Sequence, residues 1–269
     1  MRALSATAAA HLAKWDGTVV PARDAATVLV TRPAASGIEV LLLRRRTSMA
    51  FAAGMHVFPG GAVHPGDRTP VPWIGPDGDV WAGRWGCEPE LATALIVAAV
   101  RETFEETGIL VAGADERSVA GAADGDDWVV ARHQLEAGKL ALGRFLRDRD
   151  LALRADLLAP WAHWITPEFE PRRFDTRFFV AVLPAGPAEV RHGTEADSSF
   201  WIEPTAAVRA AEAGEIAMMA PTLVNLRDLS RVDPATVLRG AATRPITTVR
   251  PRLVLIDGRT MLTSELDGA

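Results

Sequence analysis

The chain holds a single cysteine, Cys87, among 269 residues. One thiol excludes an intrachain disulfide framework and a cysteine-rich zinc site, and it fits a reducing compartment. Cys87 itself reads as a small, partly buried residue rather than a nucleophile. Long apolar runs are missing too. No stretch approaches the ~18 residues that a bilayer-spanning helix needs, so no membrane partner is implied. Basic residues form no long run and the net charge is −5. Nucleic acid is therefore not an expected partner, although a small nucleotide remains one. The alanine-rich start lacks the continuous apolar core of a secretory signal, and the last residues match no address signal. The cytoplasm is the expected location. There is no internal repeat.

What is present is enough apolar material for a sizeable core, 48% of residues. The length suits one elaborated domain. The expected division is an N-terminal extension over 1–20, one domain over 21–258, and a tail over 259–269. Strands are expected at 25–30 and 38–43, joined by a turn-like 33–37, and a short strand at 57–58. Residues 62–89, rich in Gly, Pro, Asp and Trp, read as a long irregular insertion. The clearest helix covers 91–107, with Gly108 placed to end it. A second helical region covers about 128–146. Strands follow at 161–167, 176–183 and 200–202, helices at 205–213 and 222–229, and a late strand at 252–256 before an Asp257-Gly258 hairpin turn. Strands interleaved with helices indicate an α/β fold, with helical layers around a mixed sheet.

The segment Arg101-Glu-Thr-Phe-Glu-Glu-Thr-Gly108 stands out. At 100° per residue, with Glu102 at zero, Glu105 falls near ~300° and Glu106 near ~40°. The three carboxylates share one face, while Val97, Val100 and Phe104 share the other and are expected to dock on a sheet. Like charges three and four apart weaken a helix, and Glu105 and Glu106 crowd its negative end. Arg101 offsets part of this by reaching Glu105 at i+4. Two readings fit the spacing: a solvated acidic face with a surface ion pair, or a site for a hard cation. Oxygen-only ligands favour Mg²⁺ or Mn²⁺ over zinc. The Pro59-Gly60-Gly61 turn allows close backbone approach, and the Gly61 carbonyl is a candidate further ligand, although an ordinary turn also explains the pair.

This segment resembles the signature of the Nudix hydrolases: Gly, five residues, Glu, seven residues, then Arg-Glu-aliphatic-any-Glu-Glu-any-Gly-aliphatic. Arg101 to Ile109 match its second half, with Thr103 at an aliphatic position. Gly61 matches its opening glycine. Gly61 and Arg101 stand 40 positions apart against 14 in the uninterrupted signature, an excess of 26. The earlier Glu would fall at Thr93, with Glu88 and Glu90 close but out of register. An interrupted signature resembles the coenzyme A diphosphatase branch of the Nudix motif 19 type. So do the stretches 43–61, 164–167 and 173–179. The resemblance covers about residues 25–230.

It implies an α/β/α sandwich and Mg²⁺- or Mn²⁺-dependent cleavage of a nucleotide diphosphate. Coenzyme A or its thioesters would yield 3',5'-ADP and (acyl-)phosphopantetheine. Alternatives are an ADP-ribose or nucleoside-diphosphate-sugar hydrolase and a non-catalytic nucleotide-binding protein. Glu102, Glu105 and Glu106, with Gly61, would hold metal. Arg101 would orient the glutamates, and Glu105 or Glu102 would be the general base.

Around the signature, Arg44 and Arg46 share one side of a strand end. With Gly60 and Arg173 they are candidate substrate contacts. Asp175 is placed to pair with Arg173 or Arg177. His56 reads as structural before phosphate-binding. Trp73, Trp81 and Trp85 read either as a mini-core of the insertion or as an aromatic wall for adenine or an acyl-pantetheine arm. Met218 and Met219 read as packing residues. The expected partner is a small nucleotide-diphosphate substrate, with a homodimer left open.

Overall fold

Two strands rich in Val, Leu and Ile begin the architecture in the computed structural model. It describes all residues except 1, 36, 49–52, 123–124, 185–195, 234–235 and 264–269. Part of the turn expected at 33–37, part of the 43–61 stretch and the end of the expected tail lie outside the described residues.

A short β1 (Arg2–Ala3) and α1 (Ala6–Lys14) precede β2 (Arg23–Ala34) and β3 (Gly37–Arg45). These two pair antiparallel as a hairpin, with Thr31 opposite Val40. The chain continues through β4 (His56–Val57) and β5 (Gly60–Ala62), a 3-10 turn at Pro65–Arg68, β6 (Trp73–Ile74) and α2 (Gly78–Trp85). Then come α3 (Pro89–Thr107), β7 (Ile109–Leu110), β8 (Ala112–Gly113), β9 (Gly121–Ala122), α4 (Asp126–Glu136) and α5 (Leu142–Arg147). Three more strands of the main sheet follow β10 (Ala152–Arg154): β11 (Leu158–Ile165), β12 (Phe174–Val182) and β13 (Ala196–Ile202). The chain ends in α6 (Pro204–Glu212), α7 (Ala220–Leu229), α8 (Val237–Thr243), β14 (Thr248–Val249), β15 (Arg252–Ile256) and β16 (Arg259–Thr263).

The main sheet has the order β13-β3-β2-β12-β11-β14, with β4 on β3 and β5 on β2. It is mixed: β2 runs parallel to β12 and antiparallel to β3. Alternate side chains face opposite layers, as a pleated strand requires. Ala26, Val28, Val30, Phe179 and Ala181 pack with α2, α3, α4 and α5. Leu29, Val40, Leu42, Phe178 and Val180 pack with α6, α7 and α8. The result is an α/β/α sandwich. No helix among the described residues is long and apolar enough to cross a membrane.

Three expectations are corrected. Gly60 and Gly61 do not form a turn; they run as a strand against β2. The region 62–89 is not irregular, since it carries the 3-10 turn, β6 and α2. The tail begins later than residue 259, because Arg259–Thr263 zips onto β15 and also pairs with β1. The Asp257-Gly258 turn explains this. Both residues have positive φ, 49° and 73°, the geometry that folds a strand back on itself in a two-residue hairpin.

Candidate active site

Helix α3 begins with Pro89 in its first turn and ends at Gly108, whose left-handed φ of 75° turns its N–H onto the Phe104 carbonyl. Val97 and Val100 join the core cluster that includes the sheet. Phe104 does not simply dock on the sheet. Its ring stacks on Phe145 at 5.4 Å and meets the edge of Trp128 at 6.1 Å, so it packs against α4 and α5. Walled on both sides, the helix leaves little room for water even at its acidic face. Glu105 is 7% exposed and Glu106 9%; the Glu102 side chain is 12% exposed. A solvated acidic face is thereby excluded.

Strand β5 closes over that face. The Gly60 N–H donates to Glu106 Oε2 at 2.9 Å. A Cβ on Gly61 would lie inside the Glu102 carboxylate, and one on Gly60 would strike the Ala26 carbonyl and Thr27. Only glycine permits this approach of strand to helix. Val28 N–H donates to the Pro59 carbonyl and Val63 N–H to that of Asp24, both at 2.9 Å. These flanking bonds make Ala26 and Gly61 a hydrogen-bonded pair in the ladder. The Gly61 carbonyl therefore spends one lone pair on β2 and keeps its second.

Arg101 is the hub. It is 3% exposed. Its Nε and Nη2 grip the Asp67 carboxylate at 2.8 and 2.9 Å. Nη2 also donates to the Ala62 carbonyl at 3.0 Å. Nη1 reaches Glu102 at 3.0 Å and Glu105 at 3.1 and 3.2 Å. Asp67, in the Pro65–Arg68 turn, is 1% exposed and also accepts the His64 N–H at 2.7 Å.

Sequence reasoning missed Asp67. Counting eight back from Arg101 lands on Thr93, whose hydroxyl merely donates to the Pro89 carbonyl of its own helix at 2.9 Å. Counting six forward from Gly61 lands on Asp67. The 26 extra positions lie after this carboxylate, and the fold brings it back to Arg101.

Burial pushes the Glu105 carboxyl up to about 7; Arg101 opposes that rise and Glu102 adds to it. Burial also disfavours charge on Arg101, yet its hydrogen bond to Asp67 and the nearby carboxylates push its pKa up and hold it protonated. His64 titrates below its ordinary range, through burial and then the Arg101 charge.

The donors are carboxylate and carbonyl oxygens, which suits a hard divalent cation. Among the described residues, no three acidic, His or Cys side chains already stand in metal-holding geometry. The hydrogen bonds account for that. Nη1 of Arg101 lies between Glu102 and Glu105, and Gly60 occupies Glu106. The residues fit a cation that replaces Nη1 at the glutamates.

The outlying candidates have other contacts. Arg46 is exposed and pairs loosely with Asp197 at 3.6 Å; Arg44 is exposed opposite His56. Arg173 donates to the carbonyls of Thr166 and Val20, a clasp on the backbone. Asp175 pairs with Arg177 at 2.7 Å and with His163, while Arg177 reaches Asp24 at 3.1 Å. His56 is buried, with Nδ1 3.3 Å from the Ala217 carbonyl and its ring 5.5 Å from Phe200. Burial lowers its pKa, which agrees with the structural reading. Met218 packs in the second core cluster. Burial raises the Cys87 thiol pKa, away from nucleophilic use. Trp81 and Trp85 pack on Phe179 at 5.7 and 5.2 Å, so they are core rather than a ligand wall. Trp73 lines a groove of about 740 Å³ with Arg68, Val71, Asp77 and Thr93; none of the three glutamates lines it.

A strand of glycines laid on a helix of buried glutamates, with an arginine locking the two, defines a class of protein. The family model described as the NUDT19 Nudix domain matches residues 89–230. The chain belongs to the Nudix family, in its NUDT19 branch. A NUDIX hydrolase from Alicyclobacillus acidocaldarius superposes with a TM-score of 0.67 at 32% identity, over 85% of this chain and 99% of that one. The human acyl-coenzyme A diphosphatase NUDT19 is 27% identical over 74% of this chain. The Xenopus laevis protein of that name is 26% identical over 76%. The chain spans 62% of the length of each of these two relatives.

Proposed function

We propose that the chain hydrolyses the diphosphate of coenzyme A or acyl-coenzyme A, giving 3',5'-ADP and (acyl-)phosphopantetheine. The observation that carries this reading is the buried glutamate face of α3 against Gly60 and Gly61, in a chain similar to the human and Xenopus laevis proteins named acyl-coenzyme A diphosphatase. Glu102, Glu105 and Glu106, with the second lone pair of the Gly61 carbonyl, would hold Mg²⁺ or Mn²⁺. Such an ion offsets phosphoryl charge and lowers the pKa of bound water. The protein's own share is positional and protonic. Arg101, fixed by Asp67, sets the rotamers of Glu102 and Glu105. Glu105 is one candidate to accept a proton at its carboxylate oxygen, and Glu102 is the second. Arg44 near the end of β3 and Arg46 just beyond it are candidate contacts for outlying phosphates.

Purified protein incubated with Mg²⁺ or Mn²⁺ and coenzyme A, acyl-coenzyme A, ADP-ribose, NADH and sugar nucleotides tests this, with products identified by mass. Coenzyme A or its thioesters should be cleaved at the diphosphate. Preference for ADP-ribose or a sugar nucleotide would overturn the substrate, and turnover of none would overturn the enzyme.

A further inference from the structure

The family match ends at residue 230, and the chain beyond it builds a second, smaller sheet. β14 joins the main sheet on β11. Soon after, β15 starts a separate sheet in the order β1-β16-β15. β15 and β16 pair without a break, from Arg252 opposite Thr263 to Ile256 opposite Arg259. A two-residue turn joins them, so Ile256 and Arg259 form a hydrogen-bonded pair. Alternation then turns the backbone groups of Arg252, Val254 and Ile256 toward β16 and those of Leu253 and Leu255 outward. Among the described residues, no backbone bond is made at that outer edge. The side chains are open as well: Leu255 is 74% exposed and Ile256 37%. Sheet edges are commonly guarded by charge, proline, a bulge or extreme shortness. β1, the opposite edge, has the last of these, with two residues. From Leu253 to Ile256, β15 has none.

We propose that β15 is a dimerisation edge, pairing antiparallel with β15 of a second copy of this chain about a two-fold axis through Val254. Residues opposite each other in a sheet share a face, so the two-fold must join positions of equal parity. With Val254 opposite itself, Leu253 of each copy stands opposite Leu255 of the other. Both outward-turned residues are then used, and each of these pairs exchanges both of its hydrogen bonds. Leu255 gains Leu253 of the other copy as a cross-strand neighbour. The charges select the same occupant. Arg252 begins the strand and Asp257 follows its end, so an antiparallel copy brings Arg252 of each to the Asp257 turn of the other. The joined sheet has the order β1-β16-β15-β15-β16-β1, and its remaining edges are the two-residue β1 strands. Assembly therefore stops at the dimer. The pairing is independent of the chemistry proposed above.

Sedimentation equilibrium of the full chain over a concentration series tests this. Wild type should show a monomer–dimer equilibrium. Leu255→Pro removes an outward N–H without touching a bond to β16. It should raise the dissociation constant at least about tenfold, since each copy loses a hydrogen bond at the interface. Should that variant fail to fold, Val254→Cys in a Cys87→Ser background decides. Non-hydrogen-bonded positions opposite each other come close enough for a disulfide. Mild oxidation should therefore link two copies through position 254, and should not do so for Thr260→Cys on β16. In wild type the Leu253 and Leu255 amides should be protected from hydrogen exchange and lose that protection on dilution to monomer. A wild type that stays monomeric overturns the proposal: protected amides would then show the edge covered from within the chain, and open amides would leave it to a different partner. Unchanged dimer affinity in folded Leu255→Pro overturns it too, as does failure to cross-link at position 254.

Discussion

Glu105 carries an acid whose pKa the fold lifts from 4.5 to about 7 by burial. Between those values the unfolded carboxyl has lost its proton and the native one still holds it. The native state then binds more protons, so metal-free stability is full below about pH 4.5 and declines as pH rises toward 7, by roughly 3 kcal/mol at most. Denaturant melts of metal-free protein at pH 5 and pH 8 should show that fall, and Glu105→Gln should flatten it. The same variant should lower turnover at least about a hundredfold, as loss of a proton-accepting group does. Full activity in folded Glu105→Gln would remove Glu105 from the site. Residue types and spacing made this acid visible in the sequence, but its burial was not. Burial depends on β5, whose Gly60 donates to Glu106 and whose Gly61 lies against Glu102, and on Asp67, which holds Arg101 beside Glu105.

Elements explain why some residues were legible and others not. Apolar stretches within β2, α3 and β12 identified all three. Gly60–Ala62 could not be read as a strand, because glycine is depleted in strands and supplies no alternation to see. Its partner, not its composition, makes it one: β2 lends the ladder, and α3 demands the missing side chains. Asp67 was missed because the register was counted from one end only: eight back from Arg101 falls on Thr93, whereas six forward from Gly61 falls on Asp67. The spacing of β5 from α3 gives a prediction at this scale. Gly61→Ala puts a methyl group into the Glu102 carboxylate. It should cut turnover at least about tenfold and destabilise by about 1–3 kcal/mol, the usual range for overpacking. Steady-state kinetics and a urea melt measure both, and wild-type values in each would refute the close approach.

At the scale of the whole molecule, the layers follow from which side chains each strand turns to each face, and the pattern was largely readable. The inserted segment was not. Its tryptophans are distributed between the main core and a groove, and no periodicity announces that. One contact binds the insertion to the far side of the sandwich. Arg84, at the last turn of α2, donates to the carbonyls of Ala241, Ala242 and Arg244, where α8 ends. These are the carbonyls a helix leaves without partners of its own. Arg84→Met should cost about 1–3 kcal/mol, the range for hydrogen bonds from a charged donor to partners left unmet. Calorimetry of that variant should show the melt shifted down or broadened; an unchanged melt would show the contact to be idle.

The Arg84 clasp gives the insertion a second meaning. α2 belongs to the layer that carries the glutamates and α8 to the opposite one, with the sheet between them. A side chain that joins them fastens the sandwich like a staple through its edge. Such a staple should couple the two layers, so that the glutamate face comes apart only when the opposite layer does.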